Sequence, residues 1–504
     1  MAPDRPLTVG LTTATARAIL GDVEQGGRAE QMAQRLGQAI RLGLILDGEQ
    51  LPPETQLSDQ LGIATVTLRE VLATLREQGL VVTRRGRAGG TFARAPLDDR
   101  PGALPQRLRE FSTQDIQELG DHRSAISGTS ARLAAERALP GEIDSIQRQV
   151  DRLRNAITIS ERRRADTQFN IEVAAAAQSS RLTREELRLR AEIGDLLWLR
   201  STDADHEDAV RSRGRLIDAI RRREAEQARE LAEQYVAADT RRLLQLRLGL
   251  YEDARAEVAP HSPARTLGPP DSRELSDVLA KVTEEFESIY VALAPLSAEF
   301  ATLIEGTGHA TREDLASLRT VIFQVLNEQR ELIAGAGVFA VPGLLADARY
   351  GYKWWWTRTS GTPEALRVNL EPAAPDFFDY VTQDWFATPM LTSARHVAGP
   401  YVDYACTSQN SLTVAAPVRA RGELVGVAAA DVLVSRLETR ILPSLCRLAQ
   451  PTALVNAQGR VVASSSPYFA PGQQIAGGTS ATLAQPGGRA EGSSTFGWHL
   501  VSIT

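Results

Sequence analysis

A chain of 504 residues that is 43% hydrophobic and 24% charged is too apolar for wholesale disorder and, at about 150 residues per domain, long enough for about three domains. Two cysteines, Cys406 and Cys446, cannot form a disulfide framework. The opening Met-Ala-Pro-Asp-Arg leads into no apolar signal-type core, and no run approaches the ~18 apolar residues of a membrane span. Secreted, membrane-spanning and collagen-like classes are therefore not expected, and a reducing cytoplasm is. A net charge of −6 argues against coating nucleic acid along the whole surface but leaves room for a local basic patch.

Residues 1–27 read as a tail without a long period. Over 30–46, Met32, Leu36, Ile40 and Leu44 recur at helical spacing. Asp47-Gly48 turns the chain, and Leu51-Pro-Pro-Glu54 leads into a second helix with Leu57, Leu61 and Ile63 on its apolar side. The spacing predicts a third helix over Val66–Gln78, with Leu68, Val71, Leu72 and Leu75 inward and Gly79 as its stop. Leu80–Thr83 and Gly90–Phe92 then flank Arg84-Arg-Gly-Arg-Ala-Gly89, two short strands with a basic tip. Helix, helix, turn, helix and ribbon over 28–97 make a winged helix-turn-helix. Its third helix fits a major groove, and its arginine-rich wing reaches phosphates or the adjacent minor groove. Nine arginines against seven acidic residues imply only modest non-specific affinity for DNA.

The segment from Leu51 to Ala93 resembles the GntR-type winged-helix transcription regulators: LP-x-E, LG, LRE-x-L, GLV and the wing Arg-Gly elements stand in the family's order and spacing. The resemblance implies DNA contacts from Arg69, Thr65 and Thr67 on the recognition helix and from Arg84, Arg85, Gly86 and Arg87 in the wing. It also implies a homodimer on a double-stranded operator. Thr55 and Thr65 stand where the family usually carries arginine, which departs from the usual operator preference.

After a proline-containing link at 98–105, residues 112–248 read as an all-α bundle, with Leu216, Ile217, Ile220, Ala228, Leu231 and Ala232 at helical steps. Arg123, Ala131–Arg137, Asp166–Phe169 and Leu216–Ile220 resemble the FCD domain of the same regulators. That family holds a divalent metal with an Asp, a His one turn on, and two later His. Here Asp166 is followed by Asn170, Arg213 and Tyr235 at the partner positions. A domain without metal or cofactor is expected, serving dimerisation, with Arg213 as the group that would meet a carboxylate if an organic acid bound there instead.

A linker at 249–272, rich in proline, precedes residues 273–504. Two amphipathic helical stretches over 273–334 lead into strand-like text rich in Gly, Val and aromatics, an α+β arrangement. Tyr380–Phe386, the Pro400-Tyr-Val-Asp403 stretch and Gly426–Asp431 resemble the Cache family of small-molecule sensors, whose PAS-like antiparallel sheet is expected here. Trp385, Phe386, Tyr401, Tyr404 and the Trp354–Trp356 run supply apolar walls, and Asp403 and Asp431 supply charge. Aromatic walls beside a carboxylate suit a cationic group. Asp431 has a second reading, as the cap of a helix starting near Val434. The amino-acid-sensing subset of the family carries an Arg two positions before the Trp, where this chain has Gln383, so an α-amino acid is disfavoured.

The expected function is a DNA-binding regulator controlled by a small cytoplasmic molecule in the Cache-like domain, with no enzyme activity and no membrane partner. Two alternatives remain. The effector could enter the helical domain, or the last domain could be an enzyme. A pyridoxal-phosphate fusion needs a Schiff-base lysine, and only Lys281 and Lys353 exist, neither in a fitting motif. Cys406 with His396 and Asp403 is the other conceivable catalytic set, although buried structural cysteines are commoner.

Overall fold

A computed structural model describes residues 28–42, 45, 48–61, 63–84, 86, 89–94, 103–258, 272–307, 310–357, 361–475, 483–484 and 497–502. The expected tail at 1–27, the wing residues Arg85 and Arg87 and most of the linker lie outside the described residues. The chain divides into two compact units, one of 1–111 with 115–244 and one of 112–114 with 245–504.

The first unit opens with helices α1 (Arg28–Arg41), α2 (Glu54–Leu61) and α3 (Thr65–Glu77), then strands β1 (Val81–Arg84) and β2 (Gly90–Ala93). The strands pair antiparallel from Val81↔Ala93 to Arg84↔Gly90. Met32, Leu36 and Ile40 from α1 meet Leu68, Val71, Leu72 and Leu75 from α3 in one apolar cluster. Gly86, at the turn of the wing, has φ of +116°, a conformation open to glycine and costly for other residues.

Helices α4 (Ala103–Glu110), α5 (Thr113–Arg137), α6 (Pro140–Arg154), α7 (Ile159–Ala176), α8 (Ser180–Ile193), α9 (Asp203–Arg221) and α10 (Ala225–Val258) follow. Their apolar stripes close around Phe169, Leu216, Ile217, Ile220, Val236 and Ala-rich α5. Helix starts are fixed by side chains: Thr158 and Glu161 form a reciprocal cap on α7, and Thr202 and Asp205 one on α9.

In the second unit, α11 (Ser272–Thr307) and α12 (Arg319–Glu328) precede β3 (Ile333–Ala340), β4 (Tyr352–Thr357), β5 (Pro363–Ala365), α13 (Asp384–Thr392), β6 (His396–Val402), β7 (Asn410–Ala420), β8 (Glu423–Leu433) and α14 (Val434–Leu445). Strands β9 (Thr452–Val455), β10 (Val461–Ser464), β11 (Leu483–Ala484) and β12 (His499–Ser502) complete it. The main sheet is antiparallel in the order β5-β4-β3-β8-β7-β6, and the smaller one runs β10-β9-β12-β11. Residues alternate between the faces of a strand, and the two faces differ. Ala336, Val338, Leu412, Val414, Ala428 and Ala430 point to the face covered by α11, with Phe286, Ile289, Leu293 and Phe300 against them. By length and composition the stretch 273–306 of α11 is also apolar enough to cross a membrane, contrary to the expectation from sequence, and a third of its most apolar window is buried. Phe339, Ala415, Val427 and Ala429 point to the other face, with Trp354, Tyr380, Trp385 and Phe386. Gly426 allows β8 to lie this close to β3, because a Cβ there would meet the Phe339 carbonyl oxygen at 2.1 Å.

Candidate functional site

Helix α3 buries Leu68, Val71, Leu72 and Leu75 and turns Val66, Arg69 and Glu70 outward. Arg69 Nε donates to Glu54 Oε2 at 2.9 Å, an exposed ion pair that holds the guanidinium at the α2–α3 corner. Thr65 Oγ1 lies 3.5 Å from Ser58 Oγ. On the wing, the Arg84 guanidinium sits 4.8 Å from the centre of the Phe92 ring. Thr65, Thr67, Arg69, Arg84 and Gly86 thus belong to the recognition helix and the ribbon as the sequence leads one to expect. Val66, which sequence reading passed over, is 67% exposed.

In the helical unit, Asp166, Asn170, Arg213 and Tyr235 do converge, and the chemistry of that cluster does not fit a metal. Arg213 Nε donates to Asp166 Oδ1 at 3.0 Å, and Arg190 Nη1 donates to Oδ2 at 3.3 Å. Tyr235 OH donates to Asn170 Oδ1 at 2.6 Å, and the Arg213 guanidinium lies 4.1 Å from the Tyr235 ring centre. Arg213 Nη2 and Arg123 Nη2 both donate to Asp239, at 3.4 and 3.1 Å. Arg190 Nε donates to Glu186 at 2.7 Å. Three buried guanidinium groups thus alternate with Asp166, Asp239 and Glu186. The Arg213 guanidinium neutralises Asp166, and among the described residues no group of His, Cys, Asp and Glu placed to hold a metal ion includes Asp166. Burial pulls the Asp239 carboxyl upward, yet the arginines, Arg213 foremost, hold it below its usual value.

The second unit carries a cavity of about 560 Å³ on the free face of the main sheet. Phe339, Trp354, Leu366, Trp385 and Tyr401 wall it, and Asp403, Cys406, Thr413 and Asp431 form one polar corner. Four of the five residues expected at the ligand site, Trp385, Tyr401, Asp403 and Asp431, line it. Phe386 does not. It is 3% exposed, packed in the core edge-on against Tyr380 with ring centres 5.1 Å apart. Strand alternation splits the tryptophan run: Trp354 faces the cavity, whereas Trp355 packs against Phe323 at 5.0 Å on the opposite face. Tyr404 lines the mouth and is itself largely exposed.

Asp431 is not a helix cap. It stands inside β8, directly opposite Thr413 of β7, and Leu433 begins α14 without a side-chain cap. Thr413 Oγ1 donates to Asp431 Oδ1 at 2.6 Å, and Tyr401 OH in turn donates to Thr413. Burial, aided by the negative charge of Asp403, pushes the Asp431 carboxyl up to about 8. Asp403 has a different task. Its oxygens accept from the Ala405, Cys406 and Thr407 N–H groups at 3.1 Å and from Thr407 Oγ1 at 3.2 Å, fixing the loop between β6 and β7. Ligand atoms of Asp403, Cys406 and Asp431 all lie within 4.8 Å of one another. Burial and both carboxylates push the Cys406 thiol upward, so it stays protonated and offers no thiolate to a metal. Asp431 is the buried acidic group left to meet a positive charge, while Asp376 and Arg367 line the exposed side of the cavity.

A winged helix, a helical bundle and a sheet with an aromatic, acidic cavity define a transcription regulator with a sensor module. Comparison with known proteins agrees. Residues 28–92 match the family of bacterial regulatory proteins of gntR type, 118–238 match the FCD domain, and 328–439 match the first PDC sensor domain of proteins like methyl-accepting chemotaxis proteins. An HTH-type transcriptional regulator of Mycobacterium gastri, RmpR, is 37% identical over 240 residues, 47% of this chain and 86% of that protein. A regulatory protein of the L-lactate dehydrogenase operon of Escherichia coli is 33% identical over 30% of this chain and 59% of its own length. Among solved structures, a histidine kinase extracellular domain aligns with a TM-score of 0.32 at 14% identity, over 50% of this chain and 95% of its own. The chain belongs to the GntR family of transcription regulators, in its FCD branch.

Proposed function

We propose that the chain binds a two-fold symmetric operator as a cytoplasmic homodimer, and that its DNA affinity is set by a small organic cation bound in the cavity of the second unit. The observation that carries this reading is Asp431: a buried carboxyl with Thr413 as its hydrogen-bond partner, facing an aromatic-walled cavity of about 560 Å³. A cation entering there would pair with the carboxylate and stack on Trp385 and Tyr401, two interactions that strengthen as water is excluded. The cluster around Asp166 supports the same assignment from the other side, since its guanidinium groups are already engaged by Asp166, Asp239 and Glu186. Enzyme activity is not part of the proposal: Cys406 is a protonated thiol and His396 Nε2 is engaged with Asp384 at 2.9 Å. The test is a thermal-shift screen of the full chain with primary amines, quaternary ammonium ions and organic acids. Cations should raise the melting temperature because they bind only the folded state. Stabilisation by organic acids alone would move the sensor to the helical domain, where Arg123 Nε and Nη1 and Arg190 Nη2 are buried without a hydrogen-bond partner.

A further inference from the structure

Helix α3 places Leu68, Val71, Leu72 and Leu75 in the core, and the residues at the complementary angle share its outer face. Val66 is one turn before Arg69 and Glu70, so the three side chains are neighbours on that face. Arg69 and Glu70 are the charged groups such a face normally shows to water. Val66 is not. A β-branched apolar side chain, 67% exposed, neither helps the helix nor hides from solvent. Around it the first turn offers only Ala64, Thr65 and Thr67, with no charged side chain. This turn is the part of a recognition helix that meets base edges in the major groove. The one apolar group a base pair displays there is the C5-methyl of thymine.

We propose that Val66 is a specificity-determining residue that packs on a thymine methyl in each operator half-site, one to two base pairs from the base read by Arg69. The offset follows from the helix: one turn advances about 5.4 Å, against a rise of about 3.4 Å per base pair. The inference rests on operator binding by this winged helix and adds which base one side of the half-site must hold. Burying one methyl group is worth about fourfold in affinity.

The test uses the full-length chain. An operator is selected from a random duplex library, and each thymine is then replaced singly by deoxyuridine, which removes only the methyl group. Binding is compared for the wild type, Val66→Ala and Arg69→Ala. One deoxyuridine per half-site should weaken the wild type by about fourfold and leave Val66→Ala nearly unaffected. It should lie within two base pairs of the position where Arg69→Ala loses discrimination. Because Val66 is exposed, Val66→Ala keeps the fold, and unchanged thermal melting verifies this. A selected operator in which no demethylation distinguishes the wild type from Val66→Ala overturns the role of Val66 alone. Failure to enrich any sequence overturns operator binding as well.

Discussion

Replacing Asp431 by Asn removes one ionisation and almost nothing else, because Asn Oδ1 can still accept from Thr413 Oγ1, which lies 2.6 Å from Asp431 Oδ1. Burial and Asp403 push the Asp431 carboxyl from an ordinary value near 3.8 up to about 8. Between those limits the folded protein keeps a proton that the unfolded chain has released, so stability falls as pH rises through this window. At about 1.4 kcal/mol for each tenfold change in proton affinity, the ionised carboxylate costs the empty cavity on the order of 5 kcal/mol above pH 8. In a unit of this size that is roughly 10 °C in melting temperature. Asp431→Asn should therefore melt only slightly above the wild type near pH 5, where little of this window has been crossed, and by the full margin near pH 9. The same variant should lose its response to a quaternary ammonium ion, whereas the wild type should bind that ion up to about tenfold more tightly for each pH unit gained below 8. Calorimetric melting from pH 5 to 9, with and without the ion, reads both effects. A variant that melts below the wild type at every pH, or that keeps the ligand shift, would refute the reasoning.

Arg69→Ala should weaken binding to the selected operator by ~1–3 kcal/mol while leaving non-specific duplex binding nearly unchanged, as measured by fluorescence anisotropy at fixed salt. Chelators and added zinc or nickel should leave the melting of the chain unchanged, because Arg213 already neutralises Asp166 at 3.0 Å; a stoichiometric metal found by elemental analysis would contradict this. Within the second unit, Glu438 is buried with Arg247 Nη1 at 2.8 Å and accepts from the Thr113 N–H. Glu438→Ala should destabilise the protein by about 3–5 kcal/mol in denaturant titration, since it removes the carboxylate paired with a buried guanidinium.

Much of the fold was legible because its signals are local. The core side of α3 follows from Leu68, Val71, Leu72 and Leu75 at helical spacing, and the wing from two apolar runs around an Arg-Gly tip. The convergence of Asp166, Asn170, Arg213 and Tyr235 was visible only through the family pattern, because the four residues lie on three different helices, α7, α9 and α10. Thr413 shows why the cavity was harder. Counting back from the Arg421-Gly422 turn pairs Ala420 with Glu423 and Arg419 with Leu424, which would set Asp431 against Leu412. An irregularity between Val418 and Arg419 shifts the register by one and brings Thr413 opposite Asp431. Phe386 was misplaced for a related reason: it adjoins Trp385 on α13, and adjacent helical residues do not share a face. Val66 was passed over because an isolated apolar residue carries no periodic signal. Only its exposure marks it.

In the proposed function the signal enters at Asp431 and leaves through the winged helix. Operator affinity measured for the wild type and Asp431→Asn, each with and without a saturating organic cation, tests it most directly. A ligand acts only through its differential affinity for the two states of the regulator, and such couplings amount to ~1–3 kcal/mol. The wild type should shift its operator affinity by about 5–150-fold on ligand addition, and Asp431→Asn should bind the operator normally and show no shift. An equal shift in both proteins would contradict the account and place the sensor elsewhere in the chain.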